Sequence, residues 1–120
     1  IVIAGRSRLV TSPLSKILSS KKYNGNVTVI HSKTSNPKEF ISNADIFISA
    51  VGKSKIFDKS YFKEGSYVID VGISLVDGKS YGDIDTSDLD NYLIGRAPYP
   101  GGIGPVTVSG LYSNLSKLIS

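Results

Sequence analysis

Short apolar runs alternate with helix-start signals along this chain. The runs cover residues 1–4, 27–30, 46–51 and 67–71, and three of them stop at Gly5, Gly52 and Gly72. Such short, β-branched runs are typical of strands that are buried on both faces. Strands that alternate with helices form parallel sheets. We therefore expect an α/β, Rossmann-like fold, with a mostly parallel sheet and helices on both faces.

Two dipeptides mark helix starts. Ser12-Pro13 supplies an N-cap serine with proline at the first helical position, and Asn36-Pro37 supplies the same signal with asparagine. A short helix is expected over residues 58–64. Apolar side chains at helical spacing predict a closing helix over residues 105–119.

The region after residue 71 departs from this alternation. Asp77-Gly78, between residues 75–76 and 79–81, predicts a small β-hairpin excursion. A last strand is predicted over residues 92–94, ending at Gly95. Because parallel sheets bind ligands at the carboxyl ends of their strands, we expect Gly5, Gly52, Gly72 and Gly95 to lie along one edge.

Composition limits the classes of function. With 120 residues, 40% hydrophobic, the chain suits one domain, and without Met at position 1 it is expected to be a fragment that another segment precedes. Zero cysteines and one histidine predict no metal site. The net charge of +4 is dispersed and there are only three arginines, so no nucleic-acid partner is expected. No apolar run approaches the about 20 residues of a membrane span, so no membrane partner is expected.

The loop after the first run favours a phosphate. Gly5, Arg6 and Ser7 join a strand to a helix, where backbone N–H groups and the helix dipole attract anions such as a dinucleotide pyrophosphate. The loop is not a GxGxxG motif, so an ordinary tight turn is the alternative.

The residues after the second run favour NADP over NAD. An NAD site usually places Asp or Glu here to bind the ribose 2′-hydroxyl, whereas this chain has His31, Ser32 and Lys33. With Arg6 opposite, these basic and hydroxyl groups suit a 2′-phosphate. For His31, a surface imidazole is the alternative.

Other polar residues favour structural roles. Asp83, Asp85, Asp88 and Asp90 lack the spacing of a calcium loop and are interpreted as helix caps or solvated surface. Tyr61 is interpreted as a packing residue. No catalytic constellation is evident in this chain.

The segment RAPYPGGIGPVT, residues 96–107, is unusually rich in proline and glycine. Proline stiffens a backbone and glycine removes its side chains. We therefore expect this segment to bring bare backbone against a ligand.

The motifs GRSRLV, VTVIHSKT, ADIFISAVGK, VIDVGI, YGDID and PGGIGPVT together resemble one family over essentially all 120 residues. It is the NAD(P)-binding domain of the bifunctional methylenetetrahydrofolate dehydrogenase/methenyltetrahydrofolate cyclohydrolase family. The resemblance implies oxidation of 5,10-methylenetetrahydrofolate by hydride transfer to NADP, then hydrolysis to 10-formyltetrahydrofolate. It also implies a homodimer joined through this domain. The catalytic residues would belong to a preceding folate-binding domain that this chain lacks.

The resemblance also implies residue roles. Gly5, Arg6 and Ser7 would bind the cofactor phosphates, with Arg6 and Ser32 near the 2′-phosphate. The remaining implied cofactor contacts are Ala50, Val51, Gly52, Gly72, Ile73 and Thr107. The implied substrate contacts, beneath the folate, are Pro100, Gly101 and Gly102.

Five positions depart from the family pattern. Thr11 replaces a usual glycine, Ser54 a usual proline, Ser74 a usual asparagine, Ala97 a usual threonine and Tyr99 a usual valine. Thr11 is expected to crowd the turn into the first helix. The departures at Thr11, Ser74 and Tyr99 keep open an alternative function, a degenerate, non-catalytic dimerisation or scaffold domain of the same fold.

Overall fold

The computed structural model describes residues 1–6, 8, 10–87, 89, 91–93 and 95–97. Within this part of the chain the elements are β1 (Val2–Ala4), α1 (Thr11–Leu18), β2 (Thr28–Ile30), α2 (Pro37–Ser42), β3 (Ile46–Ser49), a 3-10 turn (Lys59–Tyr61), β4 (Tyr67–Asp70), β5 (Ser74–Val76), β6 (Lys79–Tyr81) and β7 (Gly95–Ala97). The expected closing helix over residues 105–119 lies outside the described residues.

The main sheet confirms the α/β prediction. Its strand order is β2-β1-β3-β4-β7, and every neighbouring pair is parallel. The chain moves from β1 to β2 on one side and then returns to place β3 on the other side of β1. This reversal opens a crevice at the carboxyl ends of β1 and β3, the position at which such sheets bind ligands.

The prediction of a strand over residues 92–94 is wrong. The last strand, β7, begins at Gly95, the residue at which the predicted strand was to end. Gly95 is the first residue of β7 and pairs with Tyr67, the first residue of β4. Gly95 therefore lies at the amino edge, opposite the edge that we expected. Tyr92 instead occupies a turn, where its hydroxyl donates to the Phe62 carbonyl at 2.8 Å. A Cβ on Gly95 would lie 3.0 Å from the Tyr67 ring, so glycine makes room for that ring.

Helix α1 begins earlier than Ser12-Pro13 predicts. Val10 occupies the N-cap position, and its carbonyl accepts the first helical hydrogen bond from Leu14 N at 3.1 Å. Ser12 is thus inside the first turn and is not the cap. Pro13 is tolerated there because the first N–H groups of a helix have no partner within the helix.

The next two helical segments are short. Asn36 precedes Pro37 at the start of α2 as predicted, but its side chain makes no capping hydrogen bond. The helix expected over residues 58–64 is reduced to the 3-10 turn. Asp58 caps this turn by accepting a hydrogen bond from Ser60 N at 2.9 Å.

The predicted hairpin is present. Strands β5 and β6 pair antiparallel around Asp77 and Gly78, whose φ angles are 51° and 77°. Two successive positive φ angles define the type I′ turn, whose twist matches that of the paired strands. The hairpin is thus an excursion between β4 and the buried segment that follows Gly82.

Aromatic rings join β3 to the segment that follows it. Phe47 is 1% exposed and meets the Phe57 ring edge to face, with centroids 5.1 Å apart. The Phe62 ring lies 5.7 Å from Phe47, and Phe57 in turn contacts Tyr61 at 5.3 Å. Such pairs stabilise a core beyond their buried area. The packing fixes residues 57–62 beside the carboxyl edge of the sheet.

Candidate functional site

A cleft of about 660 Å³ opens at the carboxyl ends of β1, β2 and β3. Residues 4–6, 30–32 and 50–51 line its floor and one side. The sequence-predicted residues Gly5, Arg6, Ser32, Ala50 and Val51 therefore come together at one place. The volume is typical of small-molecule sites.

Gly5 is placed where only glycine fits. Its φ angle is 129°, and a Cβ at this position would lie 2.6 Å from the Ala50 carbonyl oxygen. The Gly5 N–H donates to the Ile30 carbonyl at 2.9 Å, and Ala50 N donates to the Ala4 carbonyl at 2.8 Å. The ends of β1, β2 and β3 are thereby drawn together, which leaves bare backbone at the base of the cleft.

Arg6 and Ser32 both line the cleft, and both are exposed. Arg6 follows the end of β1, and Ser32 follows the end of β2, the strand next to it in the sheet. A guanidinium and a hydroxyl on neighbouring strand ends suit a phosphate group, because both donate hydrogen bonds to its oxygens. Neither loop contributes a carboxylate to the cleft lining.

The turn that carries Ser32 is held by its own hydrogen bonds. His31 N donates to Thr34 Oγ1 at 2.9 Å, and Thr34 N returns a bond to the His31 carbonyl, also at 2.9 Å. His31 Nδ1 accepts from Lys33 N at 3.1 Å. His31 is half-buried and lines the cleft, and its imidazole takes part in the hydrogen bonds of its own turn.

Apolar side chains form the other side of the cleft. Ile56, Phe57, Tyr61 and Pro37 line it together with Lys53. The interpretation of Tyr61 as a packing residue holds, because its ring contacts Phe57, but the same ring also borders the cleft. A partly apolar wall opposite polar strand ends suits a ligand that combines rings with phosphates.

A buried carboxylate holds the β3 loop, which we define as residues 50–53. Asp83 is 0% exposed and accepts four hydrogen bonds. The donors are Ser49 Oγ at 2.5 Å and the backbone N–H groups of Val51, Gly52 and Lys53 at 2.8, 2.9 and 3.0 Å. The prediction that Asp83 caps a helix or lies on the surface is therefore wrong. No local sequence signal separates Asp83 from the neighbouring aspartates, because its burial depends on donors 30 to 34 residues away in sequence.

A second buried carboxylate supports the first. Asp70 is 4% exposed and accepts hydrogen bonds from Gly72 N at 3.0 Å, and from Asp83 N and Ile84 N, both at 3.1 Å. Burial raises the pKa of Asp70, and the nearby Asp83 charge adds to the rise, whereas the three N–H donors oppose it. Asp70 thus fixes the backbone from which Asp83 reaches the β3 loop.

The other predicted aspartates differ from Asp83. Asp85 accepts a hydrogen bond from Ser87 N at 3.0 Å, which lowers the pKa of Asp85. This bond holds a turn, and no helix follows it among the described residues up to 93. Asp88 and Asp90 lie outside the described residues. In the described part of the chain, no group of three or more His, Asp or Glu is arranged to hold a metal ion.

Gly72 and Ile73 do not line the cleft. Gly72 is buried against the Asp83 carboxylate, and Ile73 is 58% exposed. Gly52 belongs to the β3 loop beside the cleft. The predicted contacts Ser7, Pro100, Gly101, Gly102 and Thr107 lie outside the described residues, as does Tyr99. Over the ranges that the structure describes, no helix is long and apolar enough to cross a membrane.

Comparison with known proteins assigns this architecture to one family. The family model described as tetrahydrofolate dehydrogenase/cyclohydrolase, NAD(P)-binding domain, matches residues 1–120. The chain is 44% identical over 116 residues to the bifunctional protein FolD of Clostridium novyi (strain NT), covering 97% of this chain and 41% of that protein. It is 40% identical over 114 residues to the bifunctional protein FolD of Picrophilus torridus, covering 95% and 41%.

Solved structures agree with this result. The bifunctional enzyme FolD, a methylenetetrahydrofolate dehydrogenase/cyclohydrolase from Campylobacter jejuni, superposes with a TM-score of 0.89 at 34% identity, covering 97% of this chain and 41% of that one. The Trypanosoma brucei enzyme FolD, solved with NADP cofactor and an inhibitor, gives 0.84 at 32% identity, covering 94% and 40%. The chain thus spans about two fifths of the length of these relatives.

Proposed function

The chain belongs to the tetrahydrofolate dehydrogenase/cyclohydrolase family as its NAD(P)-binding domain, and we propose that it binds NADP in the cleft at the carboxyl ends of β1, β2 and β3. The observation that carries the proposal is the placement of Arg6 and Ser32 on neighbouring strand ends in that cleft. These two donors would bind the 2′-phosphate that distinguishes NADP from NAD.

The residues around the base of the cleft fit the rest of a dinucleotide. Gly5 presents bare backbone next to the amino end of α1, where N–H groups and the helix dipole favour the pyrophosphate. Phe57 and Tyr61 supply an apolar wall suited to a planar ring. Bound NADP would supply the hydride acceptor, and the residues of this chain would hold and orient it.

The proposed reaction requires a longer protein than this chain, with a further domain. We propose that the whole protein oxidises 5,10-methylenetetrahydrofolate by hydride transfer to NADP and hydrolyses the methenyl product to 10-formyltetrahydrofolate. The relatives support this, since each named one is a bifunctional FolD protein. The catalytic residues would come from an additional folate-binding domain, and this chain alone is expected to be inactive.

The test is calorimetric titration of this chain with NADP and, separately, with NAD. NADP should bind more tightly by about tenfold or more, because each charge-assisted contact to the 2′-phosphate contributes about 1.5–3 kcal/mol. Equal affinity for the two nucleotides would contradict the role given to Arg6 and Ser32. Binding of neither would favour the degenerate scaffold domain.

We also propose that two copies associate through this domain. The described surface that favours association is β5 and the residue before it, where Leu75 is 74% exposed, Ile73 58% and Val76 44%. Large apolar side chains with this exposure are candidates for a protein interface. In sedimentation experiments, Leu75→Glu should weaken the dimer, while Thr86→Glu, at another exposed position, should not. Equal dimerisation of the two variants would exclude the hairpin as the interface.

A further inference from the structure

We propose that Asp83 is a positioning residue that shapes the β3 loop for cofactor binding, an inference that rests on the proposed NADP site. Asp83 does not line the cleft. Its carboxylate accepts hydrogen bonds from Val51 N and Lys53 N, and both of these residues line the cleft. Asp83 therefore acts on the cleft through these two residues.

Three consecutive backbone N–H groups converge on this carboxylate. Those of Val51, Gly52 and Lys53 lie within 2.8–3.0 Å of its oxygens, and Gly52 has a φ angle of 78°. Such a concave run of N–H groups is a site for an anion, often a phosphate. Here the protein's own carboxylate occupies it. The cofactor phosphates are therefore directed to the Gly5-Arg6 loop.

The carboxylate is itself held in position. Asp70 accepts hydrogen bonds from Asp83 N and Ile84 N, and the Asp83 carbonyl accepts one from Phe57 N at 3.1 Å. The neighbouring Gly82 carbonyl accepts another from Lys55 N at 3.0 Å. The backbone on both sides of the Asp83 side chain is thus fixed by contacts within this chain. The β3 loop is consequently arranged before any cofactor binds.

A movement of the β3 loop would also move the Gly5-Arg6 loop, where the cofactor phosphates are proposed to bind. Ala50, the first residue of the loop, donates its N–H to the Ala4 carbonyl. Its own carbonyl oxygen lies so close to Gly5 that a Cβ there would be 2.6 Å away. Because there is no free space between Ala50 and Gly5, movement of the loop would displace the Gly5 backbone as well.

The main experiment compares NADP affinity between two variants by calorimetry at a temperature where each is folded. Asp83→Asn keeps the side-chain volume but replaces one acceptor oxygen with a donor facing other donors. It should weaken NADP binding by about tenfold, equivalent to about 1.4 kcal/mol. Asp77→Asn is the matched control, because it removes a charge from the exposed turn of the hairpin. It should leave the affinity within about twofold of the unsubstituted chain.

Hydrogen exchange on the unsubstituted chain supplies a test that requires no variant to fold. Without NADP, the amides of Val51, Gly52 and Lys53 should already be protected, because Asp83 accepts their hydrogen bonds. Exchange of these amides at the rate of exposed loops would overturn the proposal. So would a folded Asp83→Asn variant that binds NADP with unchanged affinity. If the unsubstituted chain binds no nucleotide, the proposed function fails, whereas the exchange result still tests the loop.

Discussion

Gly72 and Asp83 are in direct contact: a Cβ placed on Gly72 would lie 2.0 Å from Cγ of the Asp83 carboxylate. Gly72 lies two residues after the end of β4, just before the hairpin, and Asp83 lies two residues after the end of the hairpin. The contact therefore brings the start and the end of the excursion together at the carboxyl edge of the sheet. A hydrogen atom is the only side chain that this spacing admits.

Gly72→Ala should destabilise the fold by about 1–3 kcal/mol, because the added methyl group must displace a fully buried carboxylate. Chemical denaturation measures the loss. Gly78→Ala is the control, since a Cβ there meets no atom within 4 Å and only its φ angle of 77° makes alanine unfavourable. The expected cost of that strain is about 1 kcal/mol. Equal losses in the two variants would mean that the contact with Asp83 is readily relieved.

The sequence predicts those structural elements that form through interactions between residues close together in the chain. The hairpin follows from Asp77-Gly78, and the end of β1 at Ala4 follows from an apolar run that stops at Gly5. The apolar run over residues 46–51 predicts β3 as well, but the strand ends at Ser49, before Gly52. These signals are local, because turn chemistry and side-chain periodicity act within a few residues. Much of the sheet, and the meeting of Gly5, Arg6, Ser32 and Ala50 in one cleft, could therefore be predicted.

Contacts between distant residues could not be predicted in this way. Asp83 meets Ser49 across 34 residues of sequence, and no spacing among the neighbouring aspartates distinguishes it from Asp85. Gly95 is predicted to end a strand, whereas it begins one, and its lack of a side chain makes room for the ring of its strand partner Tyr67. In both cases the tertiary environment decides the role of the residue.

The carboxyl of Asp70 should titrate above the ordinary value of 3.8, because burial raises its pKa. A carboxyl with a raised native pKa binds more protons in the folded state than in the unfolded state. Its contribution to stability therefore falls as the pH rises from 3.8 through the raised pKa. Carbon-detected NMR of the carboxyl measures the midpoint directly. The exposed Asp45, whose pKa is lowered by its hydrogen bond to Lys63, is the internal control and should titrate below 3.8. A midpoint for Asp70 at or below that of Asp45 would contradict the prediction.

Arg6→Ala should weaken NADP binding by about tenfold or more and leave NAD binding nearly unchanged, because the main contact proposed for the guanidinium is the 2′-phosphate, which NAD lacks. Calorimetry with both nucleotides measures the difference. Arg8→Ala is the matched control, since Arg8 is exposed and does not line the cleft. A similar loss of NADP affinity in both variants would indicate a general charge effect.

Thr11→Val should stabilise the fold by about 1 kcal/mol, because Thr11 carries a buried hydroxyl that has no hydrogen-bond partner among the described residues. Thr11 is 3% exposed, and its Oγ1 would lie 3.4 Å from a Cβ on Gly5. Valine keeps the branched shape and removes the polar atom that burial disfavours. Thr34→Val is the control, because Thr34 Oγ1 accepts a hydrogen bond from His31 N and its loss should destabilise the fold. Urea denaturation should therefore move the two midpoints in opposite directions. If Thr11→Val instead lowers stability, the hydroxyl has a partner beyond the described residues, and Thr11 contributes to the first turn of α1.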